Sequence, residues 1–190
     1  MGSEMCIRDR ATADSINTAF VDMTTQMEDG PTKIAQAAMD AGAPEGPGWD
    51  TNTSRISLGI AEVSPLHMAA AYATFANGGR AVPPHVVQKV TDAEGTVLYE
   101  ADTHGEEKFP KDLSADVTYA LRQVVEGGTG SAVSALGRPV AGKTGTSGLD
   151  DAIISAWFVG YTKQVSTAVM FVAGDEGTGD LVPYKQPGDG

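Results

Sequence analysis

The sequence of 190 residues has a single cysteine, Cys6, so it offers neither an internal disulfide nor a thiolate metal site. Basic residues are scarce as well, 13 Lys and Arg against 25 Asp and Glu, for a formal charge of -12. A nucleic-acid-binding face needs clustered cations to displace phosphate counterions, so nucleic acid is excluded as a partner. The charge reads instead as an acidic solvent-facing surface. Long apolar runs are also lacking: none approaches the roughly 20 residues of a membrane span, and no apolar signal-peptide core follows Met1. The chain does have a hydrophobic fraction of 41%, enough to fill the core of one domain or of part of one.

Residues 1–10, MGSEMCIRDR, show neither helical nor strand periodicity and join abruptly to the segment after them, so they are set apart as a doubtful leader, a scar or an artefact. Beyond them Ile16, Ala19, Phe20, Met23 and Met27 fall at helical steps, predicting a helix that begins near Asn17 and runs to Glu28. Pro31 suits the first turn of a second helix that Gly42 closes. Ala43 to Arg55 reads as a loop, and Ser64-Pro65 starts a third helix ending at Asn77-Gly78-Gly79. Two β-branched runs, Val86 to Thr91 and Thr96 to Tyr99, predict a hairpin. Ser114 is the expected cap of a helix through Glu126, which Gly127-Gly128 stops. Three strands are then expected, at Pro139 to Thr146, Ile153 to Tyr161 and Val165 to Ala173, with residues 175–190 a flexible tail. These elements imply an α+β fold class, an antiparallel sheet flanked by helices.

One segment carries chemistry under two templates. Gly137 to Thr144 matches the phosphate-loop pattern G-x-x-x-x-G-K-[ST] letter for letter. A phosphate loop, however, sets its lysine and hydroxyl at the start of a helix, and Gly145-Thr146-Ser147-Gly148 resists helix formation. The other reading makes Lys143-Thr144-Gly145-Thr146 a strand at a sheet edge. Alternation then sends Thr144 and Thr146 to one side and Lys143 to the other, while Gly145 lets an extended ligand lie close to the strand. Two hydroxyls and a cation suit a carboxylate.

Upstream, Ser15-Ile16-Asn17 supplies an S-x-N element. K-T-G preceded by S-x-N is the motif pair of penicillin-binding proteins and serine β-lactamases. The segments ADSINTAFVDM, ISLGIAEVSPLHMAAAYATFANGG, VVEGGTGSA, VAGKTGTS and AWFVGYT resemble the transpeptidase domain of class A, bifunctional penicillin-binding proteins from about Ala11 to Gly174. The resemblance implies a penicillin-binding protein or serine β-lactamase-like fold and peptidoglycan cross-linking by serine acyl transfer. It makes peptidoglycan stem peptides and β-lactam antibiotics the partners, with no metal or other cofactor. It gives Ser15, Lys143 and Thr146 catalytic roles and makes Asn17, Thr144, Gly145 and Thr146 substrate-binding. The implied location is the extracytoplasmic face of the bacterial cell membrane, through an N-terminal anchor outside this sequence. The family's nucleophile sits in S-x-x-K, and no lysine of this chain has a serine three positions before it. The chain is therefore expected to be a transpeptidase fragment, incomplete at both ends and inactive alone. A serine β-lactamase-like hydrolase is the near alternative and a phosphate-loop nucleotide-binding protein the distant one.

Overall fold

The computed structural model describes residues 2–149 and 152–184. Its first elements are α1 (Gly2–Ala13), α2 (Asn17–Gln26), α3 (Gly30–Ala41) and α4 (Pro65–Ala76). They are followed by the short strands β1 (Arg80–Ala81), β2 (Lys89–Thr91), β3 (Val97–Glu100) and β4 (Glu106–Glu107). Helix α5 (Lys111–Glu126) leads to β5 (Ala141–Leu149), β6 (Ala152–Tyr161) and β7 (Ser166–Val172). The residues cluster into two compact units, one from Asn17 to Thr118 and one built from the two ends of the chain, up to Ile16 and from Tyr119.

In the central unit, α2 begins at Asn17 as its apolar spacing predicts, and α3 ends on Gly42, whose φ of 117° a side chain would resist. Ser64 caps α4, its Oγ accepting the His67 N–H at 3.3 Å. Thr74 is buried and satisfied by donating to the Ala41 carbonyl at 2.7 Å, which ties α4 to the end of α3. The expected hairpin forms, but its first strand shrinks to Lys89–Thr91. Val86 is fully exposed and finds no apolar face to join.

Ser114 does not cap α5. The helix starts at Lys111, and Ser114 is buried in its second turn, donating back to the Pro110 carbonyl at 3.2 Å. Serine followed by an apolar helical run looks the same in sequence whether it sits before the helix or binds back within it.

In the unit built from the chain ends, β5, β6 and β7 form one antiparallel sheet in that order, leaving β5 at an edge. β5 continues past the expected Thr146 to Leu149, with a register shift after Ser147. Ala120, Leu121, Val124 and Val125 of α5 are buried, as are Val140, Ala141, Val159 and Tyr161 along the sheet. Phe158 occupies space left by glycine. A Cβ on Gly142 would lie 2.6 Å from its ring, one on Gly160 2.8 Å, and one on Gly130 3.3 Å.

Residues 1–10, without periodicity in the sequence, are helical from Gly2 on. Among the described side chains of α1 only Ala11 is buried, and Arg10 pairs with Asp14 one turn on at 3.5 Å. Periodicity detects a buried stripe, and the described side chains of this helix, from Arg8 on, form none. Two residues of the expected tail, Asp180 and Leu181, bond to the start of β6. Leu181 N–H donates to the Ile153 carbonyl at 2.7 Å, and Asp180 Oδ1 accepts the Ile153 N–H at 3.1 Å. The rest of the expected tail, 185–190, lies outside the described residues.

Candidate active site

Lys143 is the hub of the candidate site. It sits on edge strand β5, opposite Val159 of β6, and its ammonium is half-buried. Nζ donates to Ser15 Oγ at 2.9 Å and to the Thr144 carbonyl at 2.9 Å, with Thr144 Oγ1 at 3.4 Å. All three acceptors are neutral. Burial therefore pushes the Lys143 pKa below its ordinary value of 10.5, and among the described residues no carboxylate offsets it.

Ser15 reaches Lys143 because of how α1 ends. The Ile16 N–H donates to the Ala11 carbonyl at 2.9 Å and the Ser15 N–H to the Thr12 carbonyl at 3.3 Å. This is the paired closure of a Schellman motif, whose left-handed position glycine normally fills. Here that position is Ser15, at φ 55°. A left-handed L-residue costs about 1–2 kcal/mol, and the hydroxyl this places beside Lys143 is what a glycine would lack. Because α2 starts at Asn17, Ser15 stands one residue too early to be its cap. Asn17 is the exposed first residue of α2 and belongs to the central unit.

The alternation expected of β5 places Thr144 and Thr146 on one face, opposite Phe158 and Ala156. Lys143 starts on the other face, yet its ammonium comes round the free edge to Thr144. A neighbouring strand would block that path, and among the described residues none pairs at this edge. In an antiparallel pair the N–H and C=O of one residue share an edge, which recurs every second residue. With the Thr144 carbonyl turned to Lys143, the Thr146 N–H faces the same free edge. Gly145 packs under Trp157, whose Cβ would lie 3.3 Å from a Cβ added there.

One residue of the site went unread in the sequence. Thr129 Oγ1 lies 2.6 Å from Thr144 Oγ1. Within VVEGGTGSA, a lone threonine among glycines reads as part of a turn, and only the fold brings it to β5.

The phosphate-loop reading fails on this geometry. Lys143 and Thr144 are interior residues of a strand, with no helix N-terminus behind them. Among the described residues there is no group of three or more His, Cys, Asp or Glu able to hold a metal ion, and no helix is long and apolar enough to cross a membrane.

Residues 9–181 match the model of the penicillin-binding protein transpeptidase domain. The chain belongs to the penicillin-binding protein transpeptidase family. It is 37% identical to penicillin-binding protein 1A of Mycolicibacterium smegmatis over 95% of this chain and 25% of that protein. It is 36% identical to penicillin-binding protein 1A of Mycobacterium tuberculosis over 85% of this chain and 22% of that one. The chain thus spans about a quarter of the length of these penicillin-binding proteins. Among solved structures, penicillin-binding protein PonA1 from Mycobacterium tuberculosis superposes with a TM-score of 0.78 at 34% identity, covering 92% of this chain and 49% of that one. The same protein in complex with penicillin V gives a TM-score of 0.78 at 35% identity over the same shares of the two chains. Mixed helices with small antiparallel sheets are thus the family's architecture as well as the expected one.

Proposed function

We propose that this chain forms the carboxylate- and oxyanion-binding wall of a penicillin-binding D-alanyl-D-alanine transpeptidase that cross-links peptidoglycan. The single observation that carries the proposal is the 2.9 Å bond between Lys143 Nζ and Ser15 Oγ, which joins the K-T-G strand to the S-x-N turn across the chain. In this reading Thr144 and Thr146 bind the terminal carboxylate of the stem peptide, or the equivalent group of a β-lactam, and Lys143 supplies the positive potential. The outward Thr146 N–H is an oxyanion donor, and Gly145 lets the ligand backbone approach the edge. Ser15, with Lys143 beside it, passes a proton toward the departing amine, and Asn17 holds the substrate amide.

The reaction itself needs a serine oxygen to bond the peptide carbonyl carbon while the D-alanyl-D-alanine amide breaks and its nitrogen takes up a proton. That serine belongs to S-x-x-K, which is not in this sequence. The chain alone therefore binds without reacting. In this reading the parent enzyme works at the extracytoplasmic face of the bacterial membrane. A serine β-lactamase uses the same motifs, and the 1A-type relatives favour the synthase.

Titration with a D-alanyl-D-alanine peptide tests the proposal by NMR. Shifts at Thr144 and Thr146 are expected, and a peptide that leaves both unmoved would overturn the assignment.

A further inference from the structure

We infer that Thr129 is a further specificity-determining residue of this site, one that pairs with Thr144 so that one hydroxyl proton of the two is held outward for a ligand carboxylate. The inference rests on the carboxylate-binding role proposed for Thr144.

A threonine hydroxyl has one proton to donate and two lone pairs to accept with. Thr144 Oγ1 lies 3.4 Å from the Lys143 ammonium and 2.6 Å from Thr129 Oγ1. If Thr129 donates, both lone pairs of Thr144 face donors, and its own proton is left for an anion. If Thr144 donates, the proton of Thr129 is the free one, on an exposed residue next to the strand. In either arrangement one proton is spent within the pair and one is presented outward. Thr144 alone would present its proton only part of the time, since its rotor could also turn away. The chain of ammonium and two hydroxyls further polarises the outward donor, which favours a charged acceptor over a neutral one.

The position of Thr129 is fixed independently of any ligand. Its N–H donates to the Ala13 carbonyl at 3.1 Å, while the N–H groups of Gly128 and Gly130 both donate to the Val124 carbonyl, at 3.2 and 3.0 Å. The turn has no room to shift toward α1, because a Cβ on Gly128 would lie 2.3 Å from the Ala13 oxygen. A surface threonine with only a turn-forming role would need neither this seating nor a partner on the K-T-G strand.

The experiment compares N-acetyl-D-alanyl-D-alanine with its C-terminal amide, titrated separately into the full chain and followed by NMR. The wild-type chain should prefer the acid. Thr129→Val and Thr129→Ala should each lower that preference roughly tenfold, the loss of one charge-assisted hydrogen bond. Thr129→Ser should retain it. A hydroxyl-free variant that keeps the wild-type ratio of acid to amide affinity overturns the role of Thr129 and leaves the proposed function standing. A wild-type chain with no preference for the acid overturns both. Reduced binding of acid and amide alike in the variants, at an unchanged ratio, marks Thr129 as merely structural and also overturns the inference.

Discussion

The carbonyl of Ala13, two residues before Ser15, accepts the backbone N–H of Thr129 at 3.1 Å. The last turn of α1 therefore holds both hydroxyls that approach the K-T-G strand: Ser15 through its Schellman closure and Thr129 through this bond.

Gly128 should be intolerant of any side chain. Gly128→Ala forces a Cβ to 2.3 Å from the Ala13 oxygen, a backbone atom that cannot rotate away. Overpacking of this kind costs about 1–3 kcal/mol. At Gly127 a Cβ would meet nothing within 4 Å. Denaturant unfolding should find Gly128→Ala destabilised and Gly127→Ala near wild type, and equal stability of the two would refute the seating of this turn.

Ser15 should show stability and site chemistry pulling apart. Ser15→Gly relieves the left-handed φ of 55° and should be more stable than Ser15→Ala by about 1 kcal/mol. Both variants remove the hydroxyl that Lys143 donates to. Urea unfolding of the pair checks the difference, and a Ser15→Ala as stable as Ser15→Gly would contradict the strain.

Lys143 and Lys108 should titrate on opposite sides of the ordinary lysine value of 10.5. Burial lowers Lys143, while the Glu106 carboxylate, 2.9 Å from Lys108 Nζ, raises Lys108. Proton counts set the sign for folding. Between the lowered pKa of folded Lys143 and 10.5 the unfolded chain binds more protons, so Lys143 makes stability rise with pH across that window. Side-chain NMR of the two lysines reads the order directly; Lys108 losing its proton before Lys143 would contradict it.

The sheet should make the chain self-associate. Phe171 on β7 is 65% exposed, with Val169 and Val172 on the same strand also exposed. Sedimentation velocity should show concentration-dependent association that Phe171→Lys reduces. A strictly monomeric wild type at high concentration would contradict this.

Much of this arrangement was legible in the sequence, and the exceptions share a cause. Ser64-Pro65, Gly42 and the alternation of β5 are local signals, and each sits where local chemistry puts it. The motif residues Ser15, Lys143, Thr144, Gly145 and Thr146 could be named because their types and order repeat a known pattern, and the first three meet in space. Thr129 could not be named, since its meaning comes from a contact with Thr144 that no periodicity encodes. Strands β1 and β4, two residues each, are likewise set only by pairing Arg80 with Glu107 and Ala81 with Glu106. The serine at position 114 shows the converse, a local signal overridden by a helix that had already begun.

The most direct test of the central claim, a ligand-binding wall without its nucleophile, is an amide correlation spectrum of the chain recorded before adding penicillin V, at saturation, and after dialysis. The account predicts saturable shifts at Lys143, Thr144, Gly145 and Thr146 that vanish on dialysis. Shifts that persist would reveal a covalent adduct and a nucleophile in this chain, and a spectrum unmoved at these residues would show that the wall does not form.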